Sequence, residues 1–179
     1  MNIKRNISII GGTGHVGFPL GLIFSSKGFK VSLIDKHRAN IEKINKGQIP
    51  FLEENSKKLL KNMVKKKRIF ATNKLEEVLK SKYIIICIGT PVTKKLNPNT
   101  KNFINFFYKL KKLLKKDQIV IIRSSIYPGI CEKVYQIIKS KCENLSYCPE
   151  RIVQGKSISE LPKLPQLVSG KNKKSIIES

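Results

Sequence analysis

The stretch ISIIGGTGHVGFPLG, residues 7–21, decides the fold, because it sets an isoleucine-rich run directly before a cluster of glycines. Gly12, Gly14 and Gly17 fit the pattern G-x-G-x-x-G. Gly11 with the last two of these also fits G-x-x-G-x-x-G. The two patterns belong to different nucleotide-binding families. The loop therefore predicts a phosphate-binding turn between a strand and a helix but does not select the chemistry.

Strand-like and helix-like segments alternate outward from this loop. Short apolar runs predict strands at 6–11, 30–35, 68–73, 83–89, 118–124 and 144–150. Amphipathic runs predict helices at 15–28, 37–47, within 51–67, and at 74–81, 102–116 and 129–141. This alternation is typical of an α/β fold. We expect a Rossmann-type, doubly wound parallel sheet of about six strands with helices on both faces.

The glycine loop and the second strand together indicate a dinucleotide. The N–H groups of the first helical turn lack intrahelical partners and lie at the positive end of the helix dipole, so a pyrophosphate fits there. Asp35 ends the second strand, about 20 residues further on, where a carboxylate accepts hydrogen bonds from a ribose and repels a 2′-phosphate. This predicts NAD as the cofactor. Lys36 and Arg38 follow closely and keep NADP as the alternative.

The length of the chain and its cysteines limit the number of domains and the cellular compartment that we expect. Its 179 residues suit one domain with a full core. No apolar run is long enough to cross a bilayer, and the amino terminus lacks a signal-peptide pattern. Cys87, Cys131, Cys142 and Cys148 show no C-x-x-C spacing, which argues against a zinc site or a disulfide framework. We expect a cytoplasmic protein without a membrane partner.

The formal net charge of +24 is the most extreme property of the composition. Runs such as 57–68 and 109–116 alternate lysine with leucine at helical spacing, which favours solvated helix faces over a binding surface. A nucleic-acid-binding module on the same scaffold is the alternative. Aromatic residues are not interleaved with the basic ones as in single-strand binders, so we expect no specific nucleic-acid partner.

A second alternative is a short-chain-type NAD(P)-dependent nucleotide-sugar reductase or epimerase. Such enzymes use G-x-x-G-x-x-G and a Tyr-x-x-x-Lys pair. Tyr108 with Lys112, and Tyr135 with Lys139, fit that spacing. Lysine is so frequent in this chain that such pairs arise by chance, and neither pair follows a strand end with a suitable serine.

Five later motifs select between these possibilities when they are read with the glycine loop. They are PFLEENSKKLL (50–60), IIICIGTPV (84–92), IIRSSIYPG (121–129), YCPERIVQGKSISEL (147–161) and LPQLVSG (164–170). In this order they resemble the N-terminal, NAD-binding domain of the nucleotide-sugar 6-dehydrogenases, which oxidise UDP-glucose, UDP-N-acetylmannosamine, GDP-mannose and related sugars to uronic acids. The form CPER is closer to the UDP-N-acetylhexosamine branch than to the UDP-glucose branch.

The resemblance assigns roles to individual residues. It implies catalytic roles for Glu150, near the reacting carbon, and for Ser125, which stands where the family has threonine. The implied cofactor-binding residues lie in the glycine loop and at the strand ends: Gly12, Gly14, His15, Val16, Gly17, Asp35, Gly89, Thr90 and Ser124. Two positions depart from the family pattern, because Gln154 replaces a second glutamate and Asn40 an arginine.

The family's nucleophilic cysteine, and most of its sugar site, lie in a central helix and a C-terminal domain. We therefore expect residues 1–170 to form the NAD-binding domain and 171–179 to begin a truncated linker or central helix. A split gene, an excised domain and a chain that works beside a separate C-terminal half all fit. The expected partners are a nucleotide sugar, once such a half is present, and further copies of the enzyme, since full-length relatives form homo-oligomers.

Overall fold

The structure is a computed structural model that describes residues 5–90 and 100–179. Its sheet contains the parallel strands β1 Asn6–Ile10, β2 Lys30–Ile34, β3 Ile69–Thr72, β4 Tyr83–Ile86, β5 Ile119–Ile122 and β6 Leu145–Tyr147. A short strand, β7 Ser169–Gly170, adds an antiparallel edge beside β6. The predicted doubly wound sheet is thus confirmed and extended by β7, which the sequence analysis did not predict.

The strand order β3-β2-β1-β4-β5-β6-β7 places the start of the chain in the middle of the sheet. After β3 the chain crosses to the other side of β1, where it forms β4. The connection that follows β1 and the one that follows β4 therefore run toward opposite edges of the sheet. Ligands of open α/β sheets bind at this switch point, beyond the carboxyl ends of the strands. The glycine loop follows β1 at this edge.

Helices cover both faces of the sheet. Their bounds are α1 Gly17–Ser26, α2 Arg38–Asn45, α3 Ser56–Lys65, α4 Thr100–Lys111, α5 Ile130–Ile138, α6 Ser157–Glu160 and α7 Lys173–Ile177, with a 3₁₀ helix at Leu75–Lys80. The 3₁₀ helix occupies most of the predicted helix 74–81. The end of the predicted motif 84–92 lies outside the described residues.

The core has two halves, one on each face of the sheet. Ile9 is fully buried against α1, whereas its neighbour Ile10 is 5% exposed and packs with the residues of α4 and α5. Because helices lie on both faces, successive residues of the central strands β4 and β5 are apolar instead of alternating with polar ones. Within the described ranges, no helix combines the length and the hydropathy needed to cross a bilayer.

Candidate functional site

The glycines of the loop after β1 differ in what they contact. A Cβ atom on Gly12 would lie 2.7 Å from the Cα of Leu33, and one on Gly17 would lie 2.7 Å from the Cα of Gly12. Close packing of the loop, α1 and β2 therefore requires both glycines. A Cβ on Gly14 would meet only the carbonyl oxygen of Gly11, at 3.4 Å. The fold itself does not require glycine at position 14, so its lack of a side chain leaves room for a ligand.

Gly11 is also required by the backbone. Its φ is +75°, in the left-handed region, and a Cβ there would lie 2.5 Å from the carbonyl oxygen of Cys87. Both glycine patterns in the sequence thus have a structural basis, and the loop by itself still does not distinguish between them.

Asp35 joins the glycine loop to the end of β2. Its Oδ2 accepts a hydrogen bond from the backbone N–H of Thr13 at 3.1 Å. Its Oδ1 accepts from the N–H groups of Lys36 at 2.7 Å and His37 at 3.3 Å. An ionised carboxylate has about four acceptor positions, so one remains for a ligand hydroxyl.

A cleft of about 840 Å³ lies over these residues. Gly14, Asp35 and Gly89, three of the predicted cofactor residues, form part of its wall, together with Lys36 and Arg38. A Cβ on Gly89 would meet no atom of residues 5–90 or 100–179 within 4 Å, so among these residues nothing blocks a ligand at this wall.

A second cavity, of about 260 Å³, adjoins the first one. The two share the wall formed by Cys87, Ile88 and Gly89, at the end of β4. The second cavity brings together predicted residues from the glycine loop and from the ends of three strands: His15, Val16, Gly89, Thr90, Ser124, Ser125 and Glu150. Gly12 and Gly17 are buried beneath the loop and line neither cavity.

Hydrogen bonds fix the loops around this second cavity. The Oγ1 of Thr90 donates to the carbonyl oxygen of Ser125 at 2.6 Å, which ties the end of β4 to the loop after β5. The hydroxyl of Ser124 is buried and donates to the carbonyl of Ile86 at 3.3 Å. Ser125 is exposed. Of the two serines, Ser125 is the one whose side chain is accessible to a substrate.

Arg123, which we did not predict as a site residue, lies in the same cavity. Its guanidinium forms a buried ion pair with Glu150, and its Nη1 donates to Gln166 at 2.8 Å. The only sequence signal is a charged residue directly after the apolar strand β5. Burial lowers the pKa of Arg123, while the thiols of Cys87 and Cys148 act in the opposite direction. Burial raises the pKa of Cys87 to about 12, against a smaller opposing effect of Arg123.

The loop before α3 closes one side of the site. Phe51 stacks on His15 with ring centroids 3.9 Å apart. Glu53 is 3% exposed and accepts hydrogen bonds from the hydroxyl of Ser157 and the N–H of Ile158, both at 3.1 Å. We call these two bonds the Glu53 clasp. The clasp fixes the loop after Glu150 against the loop that carries Phe51.

The Tyr-x-x-x-Lys pairs do not contribute to this site. Tyr108 lies on α4 and is 56% exposed. Tyr135 lies on α5, where the ammonium of Lys171 is 5.0 Å from the centre of its ring. Neither tyrosine lines the cleft or the second cavity.

The positions and chemistry of the two adjacent cavities fit a dinucleotide. An acid lies at one end, a glycine with free space lies at the helix N-terminus, and the open backbone of Gly89 lies between the two cavities. These are the features that the ribose, pyrophosphate and second nucleotide of NAD require. The described residues therefore fit this cofactor.

Comparison with known proteins gives a consistent result. The NAD-binding domain of the UDP-glucose/GDP-mannose dehydrogenase family matches residues 5–179. The chain is 29% identical over 170 residues to a UDP-N-acetyl-D-mannosamine dehydrogenase of Methanococcus aeolicus, covering 92% of this chain and 38% of the relative. It is 28% identical over 172 residues to a UDP-glucose 6-dehydrogenase of Rickettsia felis, covering 94% and 38%.

A solved structure shows the same arrangement. The UDP-D-ManNAc dehydrogenase of Pyrococcus horikoshii superposes with a TM-score of 0.87 at 25% identity, over 95% of this chain and 42% of that one. The chain therefore spans about two fifths of the length of these relatives. Since the family's domain matches almost every residue and the cleft fits its cofactor, the chain belongs to the UDP-glucose/GDP-mannose dehydrogenase family, as its NAD-binding domain.

Proposed function

We propose that this chain is the NAD-binding part of a nucleotide-sugar 6-dehydrogenase that oxidises a UDP-hexose or UDP-N-acetylhexosamine to its uronic acid. The observation that carries the proposal is the pair of adjacent cavities, one at Asp35 and one at Glu150, on the two sides of the wall at the end of β4. The names of several relatives and the CPER form favour an N-acetylated sugar such as UDP-N-acetylmannosamine.

The cavities suggest how the cofactor lies. The adenosine ribose would occupy the cleft at Asp35, and the pyrophosphate would pass Gly14 at the start of α1. The nicotinamide would then enter the second cavity, beside Thr90 and Ser124. The remaining predicted residues support this path, Gly12 and Gly17 by packing beneath the loop and His15, Val16 and Gly89 by lining the second cavity.

The chemistry divides between cofactor and protein. NAD, when bound, supplies the hydride acceptor for an alcohol oxidation. Ser125 would orient the reacting hydroxyl, since its side chain is exposed at the cavity. Glu150 would take part in proton or water handling at the same carbon. The Glu53 clasp would hold the loop after Glu150 in place and reduce the access of water.

The thiol chemistry of the family would come from elsewhere. Covalent capture of an aldehyde needs an activated thiolate, whereas burial raises the pKa of Cys87, Cys131, Cys142 and Cys148. We therefore propose that a C-terminal half, in the same polypeptide or a partner chain, supplies the nucleophile and most sugar contacts. Residues 1–170 would then be the cofactor domain and 171–179 the start of the connection. The four free thiols are compatible with a cytoplasmic homo-oligomer.

NADH production tests this proposal. Residues 1–179 with NAD and UDP-N-acetylmannosamine should give no NADH above background. Addition of the C-terminal half from the same genome should produce two NADH for each sugar. Two NADH from residues 1–179 alone, abolished by Cys148→Ser, would overturn the assignment of the nucleophile to another segment.

A further inference from the structure

The ion pair of Arg123 and Glu150 is the most deeply buried pair of opposite charges in the described part of the chain. Both side chains are 8% exposed, and both line the second cavity. Charges removed from water in this way interact over longer distances than charges on the surface. The electrostatic energy of a charged ligand in the cavity therefore depends on the sum of these two opposite charges.

Other contacts hold the pair in one geometry. The Nη1 of Arg123 donates to Gln166 at 2.8 Å, and the Nε2 of Gln166 donates to the carbonyl of Pro149 at 3.2 Å. The backbone N–H of Arg151 donates to the Oε1 of Glu150 at 2.8 Å. The Nε of Arg123 has no hydrogen-bond partner among the described residues. Arg123 therefore cannot rotate away without losing both its ion pair with Glu150 and its hydrogen bond to Gln166.

The thiols beside Arg123 do not alter the charge of the cavity at neutral pH. Burial raises the pKa of Cys87 and of Cys148, so both stay protonated. The guanidinium stays charged although burial lowers its pKa, because arginine ordinarily titrates far above neutral pH. Glu150 is then the one described group that is paired with this cation inside the cavity.

We propose that the balance of charge between Arg123 and Glu150 controls the relative affinity of this domain for oxidised and reduced cofactor, so that loss of either charge alone shifts it. The inference rests on the proposed function, which places the nicotinamide in the second cavity. The nicotinamide ring is cationic in NAD⁺ and neutral in NADH, and the other parts of the two molecules are the same. Arg123 is accordingly a positioning residue, which orients Glu150 and cancels its charge.

The two single substitutions should act in opposite directions. Glu150→Gln leaves Arg123 uncompensated, so NAD⁺ should bind more weakly and the ratio of its Kd to the Kd of NADH should rise about tenfold. Arg123→Gln leaves the carboxylate uncompensated, so the same ratio should fall about tenfold. The double variant should return the ratio to within about twofold of the wild type. A purely structural role would weaken the binding of both cofactors alike.

Isothermal titration calorimetry of residues 1–179 with NAD⁺, NADH and ADP-ribose tests this inference. ADP-ribose lacks the nicotinamide, so its affinity should be the same in all variants and reports an intact cleft. Glu150→Ala and Arg123→Met make the same charge changes, and the sign is read from whichever substitution at each position keeps ADP-ribose binding.

The outcomes separate this inference from the proposed function. A ratio that rises in the Glu150 variant and falls in the Arg123 variant supports the inference. A ratio that stays constant, moves the same way in both or moves with the reversed signs overturns it while the proposed cofactor site stands. If the wild-type chain binds none of the three ligands, the proposed function is overturned and this inference with it.

Discussion

Gly12 and Gly14 are two positions apart but have different reasons to be glycine. The Cβ of Gly12→Ala would lie 2.6 Å from the carbonyl oxygen of Ile9, so we expect a loss of folding stability of about 1–3 kcal/mol by overpacking. Gly14→Ala meets nothing closer than 3.4 Å, so the fold should tolerate it while NAD binding falls at least tenfold. Thermal unfolding and NAD titration of both variants check this.

Equal destabilisation by the two alanines would show that Gly14 is also a packing glycine. Full NAD affinity in a folded Gly14→Ala variant would show that the pyrophosphate does not pass this residue.

At the residue scale, the sequence predicted residues that lie within recognisable motifs and missed a residue that is buried by tertiary contacts. The places of Glu150 and Ser125 in the second cavity could be predicted because both residues lie within motifs of the family. Arg123 could not, because a cation after a strand commonly lies on the surface. It is buried here because Glu150 and Gln166, 27 and 43 positions away, both reach it.

At the scale of elements, the Glu53 clasp connects segments that are 104 positions apart in the sequence. Glu53→Ala removes the acceptor of a buried hydroxyl and a backbone N–H, so we expect the chain to lose about 1–3 kcal/mol of stability. Hydrogen exchange within 151–161 should become faster. Denaturant unfolding and exchange mass spectrometry measure the two effects.

Glu54→Ala is the matched control for Glu53→Ala. The side chain of Glu54 is exposed, whereas that of Glu53 is buried. The backbone N–H of Glu54 donates to the carbonyl of Gly155 at 2.9 Å, and this bond does not depend on the side chain at position 54. The stability of Glu54→Ala should change by less than about 0.5 kcal/mol. Similar losses in the two variants would mean that the clasp is not what stabilises these loops.

The sequence predicted the major elements and failed at short ones. A strand that is buried on both faces of a parallel sheet gives a continuous apolar run in the sequence. The runs of β4 and β5 are long enough to recognise. The strand β7 contains only Ser169 and Gly170, too few residues for any periodic pattern. Its pairing depends on the return of the chain past β6, which is a tertiary property.

At the scale of the whole molecule, the half-buried thiol of Cys87 should make the fold sensitive to alkaline pH. Cys87 has its pKa raised from 9.0 to about 12, so the folded chain keeps a proton that the unfolded chain loses. The stability this provides is complete below about pH 9 and is lost as the pH rises toward 12. The loss for one thiol is at most about 1.4 kcal/mol per pH unit.

Urea unfolding between pH 8 and pH 11 measures this loss. The stability of Cys87→Ser should fall less steeply with pH than that of the wild type, because serine does not titrate in this range. Every other residue is the same in both proteins, so its contribution cancels in the comparison. Parallel slopes would show that Cys87 ionises as freely in the folded chain as in the unfolded one.

The charge of +24 arises from 36 lysine and arginine residues that are spread along the whole chain and are not gathered in one basic segment. Duplex DNA should therefore bind only weakly, with a Kd on the order of 10⁻⁴ to 10⁻⁶ M, without sequence preference and with a steep dependence on salt. Fluorescence anisotropy with two unrelated duplexes at several salt concentrations measures this. Tight binding to one duplex at physiological salt would favour the nucleic-acid alternative.

The central claim is that the cleft binds NAD with its adenosine ribose at Asp35, and calorimetry with NAD⁺ and NADP⁺ tests it most directly. The wild-type chain should bind NAD⁺ more tightly than NADP⁺. Asp35→Ala should lose about 1.5–3 kcal/mol of NAD⁺ binding free energy, the amount typical of a charged hydrogen bond. Equal or tighter binding of NADP⁺, or unchanged NAD⁺ affinity in Asp35→Ala, would contradict the claim.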